Sequence, residues 1–321
     1  MATDQDADPH HGSYLDVTTH KDMLRDVVRT SAYSDAISAL VKPDTHVIDF
    51  GTGTGVLAIF AERAGARKVD AIERTPMLRH AREIARRSGC QRIRFHRADH
   101  ESFATDAKAG LIVSEWMGHF VFFESMLEPL ILLRDRWLMP GGVMLPARIS
   151  LSAALVVDEE LYEDGCFLEG SPYGIDFGPI ADVPLRQTRL VTLSSDQVLA
   201  SVCDLGSLDM ATIQRAPERL SGTLSVERAA TTFGLLAWFD AFLTPEIEFG
   251  TGPHQAPTHW RQVYFPFPEP LEVAPNKPLS IVITPPVSVE NTDVTWAWSI
   301  SDGERMIHVD ERDTFARSSS F

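Results

Sequence analysis

The chain has 321 residues, of which 44% are apolar and 23% are charged, and this composition excludes a disordered or fibrous protein. No apolar run approaches the ~20 residues of a membrane-spanning helix, and the polar start MATDQDADPHHGS argues against a secretory signal, so we expect no membrane partner. A formal net charge of −16 argues against a nucleic-acid partner, because an acidic chain repels the phosphate backbone, and it favours a cationic substrate.

The first part of the chain alternates short apolar runs with helix-like segments. Strands are predicted at 45–50, 68–73, 92–96 and 110–115, and helices at 21–40, 54–64, 76–88 and 124–137. This alternation indicates right-handed βαβ units and a parallel sheet, which is an α/β architecture. The segment LMPGGVMLP (138–146) is predicted to be a turn cluster that ends the pattern.

A second region begins near Pro146, where the composition changes, since only four of the 20 prolines precede residue 140. Short β-type runs follow at 149–157, 185–193, 222–229, 233–243, 260–267, 279–287 and 294–300. Their spacing and their proline and glycine punctuation predict an antiparallel sandwich or barrel. An irregular stretch at 159–182 interrupts the series and is predicted to project as an arm. We therefore divide the chain into an N-terminal helical segment (1–40), an α/β region (41–146) and a β region (147–321).

A glycine-rich loop follows the first predicted strand, in VIDFGTGTGVLAIF. The acid-x-Gly-x-Gly-x-Gly run that starts at Asp49 is typical of methyltransferases that use S-adenosylmethionine. The Gly-x-Gly-x-x-Ala run that starts at Gly53 matches the dinucleotide pattern instead. Glu73 ends the next strand and fits both classes, because a carboxylate there can accept hydrogen bonds from both ribose hydroxyls. The complete acid–glycine run favours a methyltransferase, and a dinucleotide-dependent oxidoreductase is the alternative.

Two glutamates flank an apolar loop in SEWMGHFVFFESML. Glu115 ends a predicted strand, at the edge where open α/β sheets bind ligands, and Glu124 begins a predicted helix. Glu124 as a helix cap is the alternative interpretation. If both carboxylates are partly buried they need a cation, and a planar guanidinium with five N–H donors can engage both.

Four segments, taken together and in this order, resemble the protein arginine N-methyltransferase family. They are HKDMLRDVVRT (20–30), VIDFGTGTG (47–55), SEWMG-x5-ESML (114–127) and THW (258–260). The resemblance implies a Rossmann-like class I methyltransferase domain at 41–146, followed by an antiparallel β-barrel that binds substrate. It also implies that 1–40 covers the cofactor, that 159–182 is a dimerisation arm, and that the chain forms a homodimer.

The resemblance further implies S-adenosylmethionine as the cofactor and suggests its ligands. Arg29 is expected to pair with the methionine carboxylate, and Glu73 to hold the ribose. Asp49, Gly51 and Gly53 belong to the loop against which the cofactor is expected to lie.

The same resemblance implies the catalytic residues. Glu115 and Glu124 are expected to clamp the substrate guanidinium and to hold its nitrogen in line with the methyl group. His259 is expected to pair with Asp26 near the active site and to take part in proton removal. The further residues expected around the substrate are Met23, Met126 and Trp260.

Two cofactor positions depart from the family pattern. The family's Tyr-Phe-x-x-Tyr segment, which folds over the cofactor, reads HHGSY here, so only Tyr14 remains. The acid that reaches the adenine amino group falls at His100, with Asp99 and Glu101 as candidate substitutes. The adenine ligand therefore stays open among these three. We expect no metal, because the histidines lack a suitable ligand spacing.

The substrate class stays open between small guanidines and arginine in proteins. The Arg-rich composition, with five lysines among 29 basic residues, is typical of GC-rich bacteria and favours free arginine or a small guanidine in a biosynthetic pathway. Protein or peptide arginine is the alternative, and a degenerate methyltransferase that only scaffolds partners is a third. Three cysteines without disulfide or metal spacing predict a reducing cytoplasm.

Overall fold

The computed structural model describes residues 16–123, 126–286 and 295–318, with side chains as far as Thr314. It divides into two compact units. The first runs to Ile149 and includes 208–216 and 241–249, and the second comprises 150–207, 217–240 and the chain from Gly250 onward. Within the described ranges, no helix is long and apolar enough to cross a membrane.

The first unit is built on a five-stranded parallel sheet in the order β3-β2-β1-β4-β5. Its strands are β1 (His46–Phe50), β2 (Lys68–Ile72), β3 (Ile93–His96), β4 (Ala109–Val113) and β5 (Leu138–Leu145). Its helices are α1 (Val17–Arg25), α2 (Val27–Leu40), α3 (Val56–Arg63), α4 (Met77–Arg87) and α5 (Leu127–Trp137). Every residue of β1 is buried, as expected for a central strand covered on both faces.

Two sequence predictions for this unit need correction. The helix predicted at 21–40 is two helices, because Asp26 adopts an extended backbone and its carboxylate caps α2 by accepting the Arg29 N–H at 3.0 Å. The turn cluster predicted at 138–146 is wrong, since this segment forms β5 alongside β4. Gly141, with φ +74°, lies where the pairing of β5 with β4 shifts register, between Leu138 and Val143.

A buried carboxylate joins three strands of this sheet. Asp70 on β2 accepts hydrogen bonds from Nε2 of His46 on β1 at 2.8 Å and from Nε2 of His96 on β3 at 2.9 Å. The ammonium of Lys68 lies 2.9 Å from the same carboxylate, and the hydroxyl of Thr105 donates to it at 2.7 Å. Burial acts to raise the pKa of Asp70, but these four partners outweigh it and hold the pKa well below its usual range.

The second unit is mainly antiparallel. The remaining strands are β6 (Arg148–Val156), β7 (Arg189–Val191), β8 (Val198–Asp209), β9 (Leu220–Leu224), β10 (Ala230–Phe242), β11 (Glu248–Gly250), β12 (Gln262–Val273), β13 (Leu279–Thr284), β14 (Ala297–Ser301) and β15 (Met306–Asp310). They form a six-stranded sheet, β7-β12-β10-β6-β8 with β11 beside β10, and a four-stranded sheet, β15-β14-β13-β9. The predicted runs do not include β8, β11 or β15. In β8 and β15, polar residues alternate with buried ones.

The predicted arm contains a short helix, α6 (Glu159–Gly165), followed by 3-10 turns as far as Arg186. It exposes four large apolar side chains: Phe167, Tyr173, Ile175 and Ile180. Tyr173 is 93% exposed. Several exposed large apolar side chains in one segment are typical of a surface that another protein covers. The last helix of the chain is α7 (Glu311–Ser318).

Candidate active site

A cavity of about 350 Å³ lies in the first unit, at the carboxyl ends of the parallel strands. Ligands of open α/β sheets bind at this edge, because the loops that follow the strands converge there. Nine of the predicted site residues line the cavity: Met23, Arg29, Gly51, Gly53, Glu73, Asp99, His100, Glu115 and Met126. The fold thus brings together residues that are far apart in the sequence.

The glycine loop after β1 forms one wall of the cavity. Gly51, Gly53 and Gly55 all have positive φ, between 52° and 83°, which glycine adopts without steric cost. A Cβ on Gly53 would lie only 3.0 Å from Cε1 of His20. Glu73 fastens the loop, because its Oε2 accepts the Gly53 N–H at 3.0 Å. The loop therefore offers a close backbone surface to a ligand, with a carboxylate beside it.

An ion pair closes the other side of the cavity. Nε and Nη2 of Arg29 lie 3.1 and 2.9 Å from Oε2 of Glu115. The two side chains are only 7% and 10% exposed, so the pair is largely withdrawn from water. Nη1 of Arg29 also donates to the carbonyl of Met23 at 3.0 Å. Among the described residues, no donor reaches Oε1 of Glu115, which leaves this oxygen able to accept from a substrate.

Two predicted residues of this unit lie outside the cavity wall. Asp49 is fully buried, and its Oδ2 accepts the Ala58 N–H at 2.9 Å and the hydroxyl of Thr52. Burial raises the pKa of Asp49 to about 7, and its Oδ1 has no hydrogen-bond partner among the described residues. These contacts fasten the loop to the start of α3. Asp26 caps α2 and so positions the backbone of Arg29.

The second unit carries the predicted His259 and Trp260. Their ring centroids lie 4.2 Å apart. Trp260 is buried, and its ring centroid lies 5.4 Å from that of Phe239 in an edge-to-face arrangement. The loop is closed by Gln262, whose amide donates to the carbonyl of Thr251 at 2.7 Å. The pairing of His259 with Asp26, a residue of the other unit, stays a prediction. Glu124 and Tyr14 fall outside the described residues.

Known protein families match both parts of the chain. A family described as a methyltransferase domain matches residues 47–142. A second family, described as an arginine methyltransferase oligomerization subdomain, matches residues 147–303. Protein arginine N-methyltransferase 1 of Chlamydomonas reinhardtii is 30% identical over 283 residues, which cover 85% of this chain and 82% of the relative. The same-named protein of Saccharomyces cerevisiae is 31% identical, with 82% and 79% covered. This chain belongs to the protein arginine N-methyltransferase family.

Two solved structures of this family share the fold. The Trypanosoma brucei PRMT1 enzyme–prozyme heterotetrameric complex with AdoHcy is 28% identical with a TM-score of 0.84, and the match covers 93% of this chain and 98% of that one. Arabidopsis thaliana protein arginine methyltransferase 10 is 27% identical with a TM-score of 0.80, covering 94% and 99%. These matches confirm the predicted fold, a Rossmann-like methyltransferase domain followed by a barrel-like domain.

Membership of this family also confirms the predicted enzyme class, an arginine N-methyltransferase that uses S-adenosylmethionine. The cavity fits such a cofactor, because its glycines leave room where a Cβ would intrude and its Arg29 and Glu73 offer a cation and an anion. The glycine loop thus belongs to a methyltransferase, and the dinucleotide-dependent oxidoreductase loses its support.

Sequence reasoning missed His20, which is buried and lines the cavity against Gly53. It begins the first family-like segment, so the signal was present, but only the fold shows that α1 crosses the glycine loop. His96 faces Asp70. In the described ranges, no group of three or more His, Cys, Asp or Glu side chains is arranged to hold a metal ion.

Replacing Gly53 by alanine is expected to weaken binding of S-adenosylhomocysteine about tenfold, since the new Cβ crowds His20 and strains a left-handed backbone by roughly 1–3 kcal/mol. Isothermal titration calorimetry measures the affinity. Gly89→Ala is the matched control, because Gly89 also has positive φ, at 79°, but faces open space. Equal affinities in the two variants would show that the close approach at Gly53 has no bearing on the cofactor.

Proposed function

We propose that this enzyme transfers a methyl group from S-adenosylmethionine to a guanidino nitrogen of arginine residues in proteins or peptides. The observation that carries the proposal is Glu115, which is nearly buried, is paired with Arg29 through Oε2, and lines the glycine-loop cavity. A buried carboxylate with an available oxygen is the group that a planar cation requires.

The chain's own residues would hold the cofactor along the cavity. Arg29 would bind its carboxylate, Glu73 its ribose hydroxyls, and the backbone at Gly51 and Gly53 would lie against it. S-adenosylmethionine supplies an electrophilic methyl group when bound. Because Arg29 already lies against Glu115, the cation at the cofactor end and the anion at the substrate end are held in one fixed relation. This arrangement supports a positioning role for the pair.

The substrate's guanidinium would be held by Glu115 and, as the sequence predicts, by Glu124. A free guanidinium is a poor nucleophile, since its lone pairs are delocalised and its pKa exceeds ~12. Carboxylates on one side of the group draw positive charge toward themselves, which leaves more electron density on the attacking nitrogen. The released proton would pass to a glutamate or to the predicted His259–Asp26 pair.

Arginine in a protein is favoured over free arginine as the substrate. Composition alone favours free arginine, but the relatives at 30% and 31% identity are both named protein arginine N-methyltransferase 1. The comparisons therefore support arginine in proteins as the substrate better than free arginine.

We also propose that the enzyme works as a homodimer. Residues 147–303 match an oligomerization subdomain, and the arm within them exposes Phe167, Tyr173, Ile175 and Ile180. Burying four large apolar side chains would contribute roughly 1.5–3 kcal/mol each.

The test is a substrate comparison read by mass spectrometry. The enzyme is incubated with S-adenosylmethionine and either an Arg-rich peptide or free arginine, and the same peptide with lysine in place of arginine is the control. We expect methylation of the Arg-rich peptide at least about tenfold faster than of free arginine, because a peptide adds contacts beyond the guanidinium. Methylation of free arginine alone would overturn the protein-substrate proposal, and no product from either would overturn the activity.

A further inference from the structure

A second cavity, of about 210 Å³, lies on the four-stranded sheet of the second unit. It shares no described lining residue with the active-site cavity. Its lining includes Arg219, Val282, Thr284, Ala297, Ser299 and His308. Among the described lining residues there is no Asp or Glu, although the whole chain has a net charge of −16. The cavity is therefore a local concentration of hydrogen-bond donors in an acidic protein.

The cavity lies on the outward face of this sheet. The opposite face packs into the core through buried side chains such as Ile283 and Trp298, and the Trp298 indole donates to the carbonyl of Pro266 at 2.9 Å. Successive side chains of a strand point to opposite faces. The neighbouring Thr284 and Ser299, both half-buried, therefore lie on the outward face, at the cavity.

The order of the strands gives the cavity two walls and a floor. Ser299 on β14 is paired with His308 on β15, and Thr284 on β13 is paired with Ala297 on β14. Arg219 directly precedes β9, which pairs with the other side of β13. Since β9 and β15 are the outer strands of the sheet, Arg219 and His308 stand on opposite sides of the cavity. The smaller side chains of β13 and β14 form the floor between them.

The polar groups of this cavity are available to a ligand. Among the described residues, no hydrogen bond or ion pair engages the side chains of four polar lining residues: Arg219, Thr284, Ser299 and His308. Asp310 lies opposite Ala297 in register, but it is held elsewhere. Nε and Nη2 of Arg312 donate to its two oxygens at 2.9 and 2.5 Å, so a cation already offsets its charge.

We propose that this cavity binds a phosphate monoester. The guanidinium of Arg219 is always charged, and its planar fork matches phosphate oxygens. The two hydroxyls of the floor and the imidazole of His308 add further donors. A phosphate monoester presents three strong acceptor oxygens in different directions, so it can meet donors on both walls and on the floor at once. A planar carboxylate presents only two. The apolar Val282 and Ala297 leave space for the carbon of the ester.

The experiment titrates the full chain by isothermal titration calorimetry at pH 7 with the capped peptide acetyl-Gly-phosphoserine-Gly-amide. The same peptide with serine, and the same peptide with glutamate, are the comparison ligands. We expect the phosphoserine peptide to bind at least about tenfold more tightly than the glutamate peptide, because it offers a third oxygen and more negative charge. The serine peptide is expected to bind at least about 100-fold more weakly than the phosphoserine peptide, since it lacks the anion.

Arg219→Gln is expected to weaken binding of the phosphoserine peptide by about tenfold or more, because the charged donor is lost. Arg228→Gln is the matched control: Arg228 is another exposed arginine of the second unit, outside the cavity wall, and its variant is expected to keep the affinity. Ser299→Ala, a second variant, is expected to weaken binding about threefold. Methylation of an Arg-rich peptide is expected to stay unchanged in Arg219→Gln, so this site is tested separately from the proposed function.

Equal binding of the serine and phosphoserine peptides would overturn the proposal, as would equal affinities of Arg219→Gln and Arg228→Gln. A glutamate peptide that binds as tightly as the phosphoserine peptide would indicate a carboxylate site and overturn the assignment to phosphate. Glycerol 3-phosphate distinguishes the two sources of the ligand. Its binding within about threefold of the phosphopeptide would support the proposal with a small metabolite as the ligand, and binding of the phosphopeptide alone would support it with a phosphorylated protein.

Discussion

Glu115→Gln is expected to slow methyl transfer to an Arg-rich peptide by roughly 100- to 1,000-fold. Glutamine has the same shape and can still accept the hydrogen bonds of Arg29 through its amide oxygen. It loses the negative charge, however, and its amide nitrogen replaces an acceptor with a donor that faces the substrate's own N–H groups. Transfer rates measured at saturating cofactor, by mass spectrometry of the peptide product, give the size of the loss.

Cofactor binding separates this effect from a collapse of the site. S-adenosylhomocysteine is expected to bind Glu115→Gln at least as tightly as the unmodified enzyme, since the loss of the carboxylate frees the charge of Arg29 for the ligand's own carboxylate. Glu128→Gln is the control, because Glu128 is exposed and lies outside the cavity wall. Unchanged activity in Glu115→Gln would show that Glu115 does not hold the guanidinium.

Asp70→Asn is expected to lower the free energy of unfolding by about 3–5 kcal/mol, because it removes the buried carboxylate and leaves Lys68 with only the exposed Asp106 as a counter-charge. Asp70 is surrounded by His46, His96 and Lys68, and an asparagine amide would turn two donors toward them. Urea unfolding followed by circular dichroism measures the change. Asp106→Asn is the control: this 71% exposed carboxylate also pairs with Lys68, and its loss is expected to change the stability far less, because water screens an exposed pair.

The stabilising effect of Asp70 depends on pH in one direction. The pKa of Asp70 is lowered in the folded protein. Between the folded and the unfolded pKa, the folded state therefore binds fewer protons than the unfolded state, and stability rises with pH. The contribution is fully present above the unfolded value of about 4 and is lost as the pH falls through the lower folded value. The stability difference between the unmodified enzyme and Asp70→Asn is therefore expected to shrink below about pH 4. A difference that stayed constant into acid would contradict an ionised Asp70.

The order of elements and the glycine loop are properties that the sequence determines on its own. The parallel strands and the helices between them follow from local apolar periodicity and from turn residues, which act over a few neighbouring positions. Asp49, Gly51 and Gly53 lie within five positions of one another, so the sequence alone identifies their loop. The spacing of Glu115 and Glu124 likewise predicts a guanidinium substrate, although Glu124 lies outside the described residues.

Only the tertiary structure decides how distant residues meet. The sequence does not show that Arg29 pairs with Glu115, 86 positions away, or that His20 lies against Gly53. It leaves Asp99, His100 and Glu101 equivalent, whereas the fold puts Asp99 and His100 in the cavity wall and leaves Glu101 outside it. The physical reason is that the local sequence pattern indicates only which face of a helix or strand is buried. The partner of each buried charge depends on how elements that are far apart in the sequence pack together.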